Sequence, residues 1–550
     1  MLKIVIKNTL LCLASSVVLF AQNQPVEKQK LQIEIEDELE EAGTTKKTEK
    51  ETEDIVVSGE DEQLIRTFKS DTTFVSPSDA SAMRWLKDKN TLDKDGKKKH
   101  KTSEKNGIII PAYGMYDNSF INLQIAKSDK FGLYQLKYAR ENVVSEGYNE
   151  KLIDNSARSS DNVNVVVGSR ILPNYLMMFD ARYQGDNTGF QENPVFRSMF
   201  RRWANFSLQN NIKPDNKQVL NIDMKGNYLQ SKYESTGLPD TTALYLDGAL
   251  NAHWAYMFDN KITLEAKTGF DYASLTDIDQ IQSMGASLSG ELGAYFPIIK
   301  TFLGARKNIP WQLNINAGGG GFYKDTSTAQ PTAHLSIDSK LDFWKSKLGG
   351  EKTVENFKTE TAHLSSYYEK PVYYKDPLDF WHIFWDNGFQ INDENTLKVK
   401  AGYKDYSVYF NPVMDSHNFY YRTPVTYSEI YGNFNWEFSF LTSFLLETAL
   451  EINYGLTQVN MKPSIAFLVV LNYNTERIDA ALSFRGIGQR QLDSISIKDY
   501  YLLGFDFRFW LNPTFALMAM GENLLNQDYM VYYPYRTSGI KLFAGCYIKF

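Results

Sequence analysis

Ile540–Phe550 reads IKLFAGCYIKF, with a period of two. Ile540, Leu542, Ala544, Cys546, Ile548 and Phe550 fall on one face, and Lys541, Phe543, Gly545, Tyr547 and Lys549 on the other. That alternation makes a strand with one apolar and one largely polar face. It suits the closing strand of a transmembrane barrel, which pairs with the first strand and leaves no open edge in the bilayer. A terminal strand of a soluble β domain shares the period, so the rest of the chain has to decide.

From Gly107 onward, amphipathic runs of about ten residues recur, the length a tilted strand needs to cross a bilayer. Leu220, Ile222, Met224 and Tyr228 alternate with Asn221, Asp223, Lys225 and Asn227. Leu397, Val399, Ala401 and Tyr403 alternate with Lys398, Lys400 and Lys404. Phe444, Leu446, Leu450, Ile452 and Tyr454 alternate with Glu447, Glu451 and Asn453, and Leu503, Phe505, Phe507 and Phe509 with Gly504, Asp506 and Arg508. A β-sandwich shows the same period, but charge on one face against bulky lipophilic groups on the other suits a lipid exterior and a wet lumen.

Turn signals punctuate these runs near 128–130, 172–174, 214–217, 258–261, 393–395, 474–476 and 512–514. Longer polar or aromatic segments separate them near 141–160, 185–200, 231–240, 371–382, 407–424, 489–499 and 527–539. Alternating short and long connections mark a bacterial barrel with short periplasmic turns and longer outer loops. Two features depart from this rhythm. Asp117-Asn118 is short where an outer loop belongs, and 297–310 and 346–358 read as long connections where turns belong. The expected fold is an all-β, transmembrane antiparallel barrel of about 22 strands over 107–550, preceded by a disordered arm.

Composition agrees. Mean hydropathy is −0.39, and after residue 21 no apolar run nears the ~18 residues of a membrane helix. The 34 Tyr, 34 Phe and 9 Trp suit the aromatic girdles of a barrel. A net charge of −7 gives no reason to expect nucleic acid as a partner.

Residues 1–21 (MLKIVIKNTLLCLASSVVLFA) have Lys3 and Lys7, then an apolar run and a small residue at Ala21, the pattern of a secretory signal peptide. Cys12 leaves with that peptide, so Cys546 has no partner for an internal disulfide. Residues 22–106 are charged and poor in aromatics, and read as a disordered periplasmic arm. Its basic run Lys97–Lys101 reads as a solvated tether or as a contact for anionic lipid head groups. Asp54, Ile55, Val56, Val57 and Ser58 form a short β-prone run between acids. Such a run can add a strand to a partner's exposed edge, or it is a chance triplet in a polar tail.

The last seventy residues resemble the C-terminal part of TonB-dependent outer-membrane receptors. The resemblance rests on Ser483-Phe484-Arg485-Gly486, on Asp499-Tyr500-Tyr501-Leu502, on Gly521–Tyr529 (GENLLNQDY), on Pro534-Tyr535-Arg536 and on the closing strand. It implies a barrel near 22 strands in the outer membrane. It also implies that Asp54–Ser58 acts as the peptide that pairs with TonB in the periplasm. The family carries a large folded plug before its barrel. Here fewer than fifty residues lie between Glu60 and Gly107, so the plug is missing or reduced to a remnant such as Leu64–Met83.

No enzymatic or cofactor chemistry is expected. The six histidines His100, His253, His334, His363, His382 and His417 show no metal-ligand spacing. Gly318–Gly321 lacks the Lys-Ser/Thr of a phosphate loop and reads as a thin place in a strand. Asp379–Trp385 (DFWHIFW) reads first as interfacial girdle and second as a ligand platform. Two tyrosine-rich loops, Tyr406–Arg422 and Tyr529–Arg536, could meet a ligand outside the cell. The expected function is uptake or passage of an unidentified small solute, with outer-membrane lipid and TonB as partners. The alternative is a plugless barrel acting as an adhesin or a scaffold for partner proteins.

Overall fold

A computed structural model describes 107–550 apart from 130–131, 145, 149–150, 154–155, 173, 191–192, 194, 237–239, 278–280, 304–307, 326–328, 342, 358–367, 393–394, 417, 441–442 and 538. The signal peptide, the arm, Asp54–Ser58, Lys97–Lys101 and Leu64–Met83 lie outside the described residues.

Twenty-two antiparallel strands form one sheet, each paired with its neighbour in the chain, and the first pairs with the last. Gly107–Gly114 lies against Lys541–Lys549, with Ile109 opposite Ile548 and Tyr113 opposite Ala544. At its end Gly107 N donates to Phe550 O at 2.8 Å and Phe550 N donates to Gly107 O at 2.9 Å. A Cβ on Gly107 would lie 2.4 Å from the Phe550 ring, so only glycine lets that ring cover the joint. The closure expected of Ile540–Phe550 is therefore present down to the terminal residue.

Period two decides what faces lipid. Leu288 and Leu292 stand outward at 54% and 70% exposed, while Ser289 and Glu291 between them face the lumen. Leu246, Leu250 and Trp254 do the same on Thr241–Met257, and Leu264, Phe270 and Tyr272 on Thr263–Thr276. A continuous apolar exterior of this kind is stable only against acyl chains. Cys546 belongs to that face and is a free thiol.

Ten connections are short turns, at the end where Gly107 meets Phe550, and the loops lie at the other end. The sequence misplaces two of the turns. Asn308–Lys324 and Gln282–Leu303 run through 297–310, leaving only 304–307 between them. Trp344–Glu355 is a strand through most of 346–358, and its turn is 341–343. Ser346, Gly350 and Lys352 thin the outward face of that strand, which Leu348 shares, until its alternation disappears from view. The expected loop at 407–424 is also mostly strand. Asn395–Met414 and Tyr420–Phe440 leave only 415–419 between them.

We expect Leu292→Arg, in the middle of the exposed band, to destabilise the barrel by about 2–4 kcal/mol, and lumen-facing Ser289→Arg to have an effect below about 1 kcal/mol. Denaturant titration of barrels folded into liposomes reads the difference.

Candidate functional site: the lumen wall and the closed mouth

The sheet register gathers ionisable side chains that lie far apart in the chain. Glu265 pairs with Gly293, Gly293 with Gly318, Gly318 with His334, His334 with Glu351, Glu351 with His382, His382 with Lys404 and Lys404 with Glu429. Eight consecutive strands thus present one row of acids, imidazoles and an ammonium to the lumen.

The glycines in that row have a steric purpose. His334 Nδ1 lies 2.8 Å from Glu291 Oε1, two strands away, and its Nε2 lies 3.2 Å from Asn316 Oδ1. The ring reaches across Gly318, where a Cβ would come within 2.4 Å of His334 Cε1. At Gly320 a Cβ would sit 1.8 Å from the Gly290 carbonyl oxygen, whereas at Gly319 its nearest neighbour is 3.4 Å away. The run Gly318–Gly321 is a thin place, as the sequence suggests, and an imidazole occupies the room it clears.

Asp379–Trp385 divides its rings between the two faces. Trp381, Ile383 and Trp385 stand outward, each about half exposed, and Phe380, His382 and Phe384 turn inward. His382 is buried, with Nδ1 2.7 Å from Glu351 Oε1 and Nε2 2.7 Å from the Tyr431 hydroxyl. Lys404 lies over the rings of Phe380, Tyr406 and Tyr431 at 5.5–6.0 Å, in reach of a cation–π attraction. Glu429, 2% exposed, accepts from the Tyr427 hydroxyl at 3.0 Å and pairs with Lys462. The wall thus offers fixed charges of both signs to a polar solute. Among the described residues no three His, Cys, Asp or Glu side chains converge as metal ligands. Linear spacing holds no sign of this row, because register joins residues many positions apart.

At the loop end, described segments from several loops pack against one another. The two tyrosine-rich segments singled out in the sequence pack on each other. Tyr420 donates to Tyr533 O at 2.7 Å and Tyr535 to Asn418 O at 2.8 Å, and the Tyr420 and Tyr532 rings meet at 5.3 Å. Arg490, on the hairpin Arg490–Leu492/Ile495–Ile497, is fully buried and donates to Met530 O and Val531 O at 2.5 and 2.7 Å. Burial lowers its pKa.

The described stretch 368–377, before Leu378, is tied to several neighbouring segments. Glu369 accepts two bonds from Arg422, at 2.6 and 3.2 Å, and Lys370 pairs with Asp415 at 3.0 Å. Further along, Tyr373 donates to Asp325 at 3.0 Å, and Lys324 donates to Tyr374 O at 2.6 Å. Burial, then Asp325, pushes the Tyr373 phenol up, and burial, then Glu369, does the same to Tyr374. Both therefore stay neutral well beyond the usual phenol range.

The mouth is also bridged from wall to wall. Phe190 follows the fifth strand, Tyr175–Gly189, and Phe419 follows the fifteenth, Asn395–Met414. They lie almost opposite in a ring of twenty-two, yet their rings meet at 5.1 Å. A strand of twenty residues is roughly 65 Å long, well beyond the bilayer's thickness, and the excess leans across the opening.

With this geometry in view, known proteins can be compared. No family model matches the sequence, and no curated protein matches it. Solved structures match the fold. Its fold is the barrel fold of solved siderophore receptors and metal transporters. The siderophore receptor PirA from Acinetobacter baumannii aligns with a TM-score of 0.61 at 9% identity, over 81% of this chain and 80% of that one. The copper transporter OprC aligns with a TM-score of 0.59 at 11% identity, over 81% and 80%. The FrpB iron transporter from Neisseria meningitidis aligns with a TM-score of 0.61 at 8% identity, over 81% of each chain. Fold and exterior together make this an outer-membrane barrel.

We expect Gly320→Ala to prevent barrel closure, because its methyl meets backbone, and Gly319→Ala to fold normally. Heat-modifiable electrophoretic mobility distinguishes the two.

Proposed function

We propose that this chain takes a small polar solute across the outer membrane, admitting it through a mouth that is shut at rest. The carrying observation is the pairing of loops that contact one another across the mouth with a lumen wall of fixed acids, imidazoles and ammonium groups. A passive pore needs no loops locked across its opening, whereas a receptor that binds before it passes its cargo does. Solved barrels of this fold include a siderophore receptor, a copper transporter and an iron transporter, so a metal ion or its chelate is the first class of cargo to test.

The periplasmic half of the proposal rests on sequence. The arm 22–106 lies in the periplasm, and Asp54, Ile55, Val56, Val57 and Ser58 add a strand to TonB, through which the inner membrane's energy opens the passage. No cofactor and no catalytic step is part of the reading.

The test compares cells carrying the full chain, the chain without 53–60, and no chain, for uptake of radiolabelled copper and ferric chelates. We expect uptake with the full chain and at least a tenfold loss in the other two. Equal uptake with and without 53–60 removes TonB from the account, and equal uptake with and without the chain removes transport of these cargoes.

A further inference from the structure

Phe419 is held in a cage of rings that the opposite wall builds without its help. Phe196 and Tyr233 sit on the adjacent strands Phe196–Asp215 and Gln218–Ser235, which are locked in register with Met199 opposite Tyr233. Phe190 is tied to the same strand, its N–H donating to Arg197 O at 2.9 Å. Asn193 Oδ1 accepts from Val195 N and Phe196 N at 3.0 and 2.8 Å, fixing the corner. Met199 and Ala243 complete the cluster and are at most 1% exposed. Below, Arg201 grips Asp186 at 2.6 and 2.8 Å with both side chains 1% exposed. That pair is fully desolvated and anchors the base of the cage.

Phe419 enters edge-on. Its ring is 5.1, 5.3 and 5.5 Å from Phe190, Phe196 and Tyr233, at 88°, 62° and 87°. Phe190 and Tyr233 are parallel to within 9°, so they form two walls that a planar ring meets in the favoured T-shaped arrangement. Phe419 itself is 1% exposed. It is presented by the turn 415–419, where Asp415 Oδ1 accepts from Phe419 N at 3.0 Å and Asp415 N donates to Phe419 O at 2.8 Å. One ring on one tight turn therefore plugs a site assembled on the far wall. The Tyr233 hydroxyl is sealed inside, with the Ser231 hydroxyl beside it on the same strand and no hydrogen bond of ordinary geometry. Phe419 offers that group no hydrogen bond of its own.

We propose that this cage is a binding site for a planar aromatic ring bearing a polar substituent, and that Phe419 is its displaceable internal occupant. The inference rests on the transport reading above for its purpose, and it names a chemical feature of the cargo. A tethered ring competes at an effective concentration on the order of millimolar. A cargo prevails by adding what Phe419 lacks: a hydrogen bond to Tyr233 and contacts elsewhere in the mouth. Because Phe419 spans the opening, its displacement frees the hairpin Asn395–Met414/Tyr420–Phe440 from the opposite wall. Recognition and opening then become one event, driven by the difference in cargo affinity between the two states.

The experiment uses the full chain with phenol as probe and cyclohexanol as a non-aromatic control of similar size. In Phe419→Ala the cage is vacant. We expect saturable phenol binding by calorimetry at least about tenfold tighter than to the unsubstituted chain, and cyclohexanol binding at least about tenfold weaker than phenol. A second readout follows access to the cage. In a Cys546→Ser background, Ser231→Cys places a thiol at a position that is 0% exposed. An external thiol reagent is expected to label it at least about tenfold faster when Phe419→Ala is added, and phenol is expected to slow that labelling again. Equal binding of phenol and cyclohexanol, no phenol binding, or unchanged labelling overturns the proposal. Phe419→Leu, which keeps an apolar filling, provides the same comparison if the alanine variant does not fold. Neither readout needs TonB or cellular uptake, so failure of the transport reading and failure of the cage show separately.

Discussion

Everything in this fold depends on one constraint: a backbone N–H or C=O facing acyl chains must find its partner within the sheet. Gly107 and Phe550 meet that demand reciprocally, and with it the ring closes. Once the ring is closed, period two sends every second side chain into the bilayer and every other one into the lumen. The apolar belt, the ionisable row and the opposition of distant loops follow from that division. The contact between Phe190 and Phe419, on strands almost opposite in the ring, could not exist in an open sheet.

Much of this is written locally. Alternation at Phe444–Tyr454 and Leu503–Phe509 shows both faces directly, because bulky apolar groups oppose charge. The closing strand is legible for the same reason, and the count near 22 follows from turns with Asn, Asp and Pro at their centres. What local pattern cannot carry is register. His334 meets Glu291 only because two intervening glycines let a ring cross a strand, and a linear search for metal or catalytic spacing cannot see it. The strand Trp344–Glu355 was hidden because Ser346, Gly350 and Lys352 interrupt its apolar face. The short turn 415–419 was hidden because its flanking strands, aromatic on both faces near the mouth, no longer alternate.

The mouth and the lumen wall answer different physical problems. Lumenal charges are held by opposite charges and rings, so they present polarity without leaving a bare ion in a narrow space. The mouth is held by aromatic contacts, by the half-buried guanidinium of Arg422 and the buried one of Arg490, and by phenols kept neutral by burial. Such contacts are short-ranged and cooperative, so they favour a mouth that is either shut or released. Two of its parts, Tyr406–Arg422 and Tyr529–Arg536, were visible as tyrosine-rich segments. Their mutual packing, and the reach of Phe419 across the ring, appear only in three dimensions.

The central claim is that walls on opposite sides of the barrel are joined across the mouth at rest. Spin labels at the exposed positions Arg197→Cys and Ser416→Cys, in a Cys546→Ser background, measure it directly by pulsed dipolar spectroscopy. The account expects one narrow distance, typical of loops in contact, that broadens and lengthens when Phe419→Ala is introduced. A distance close to the full width of the barrel in the unsubstituted mouth, or one indifferent to Phe419, would contradict it.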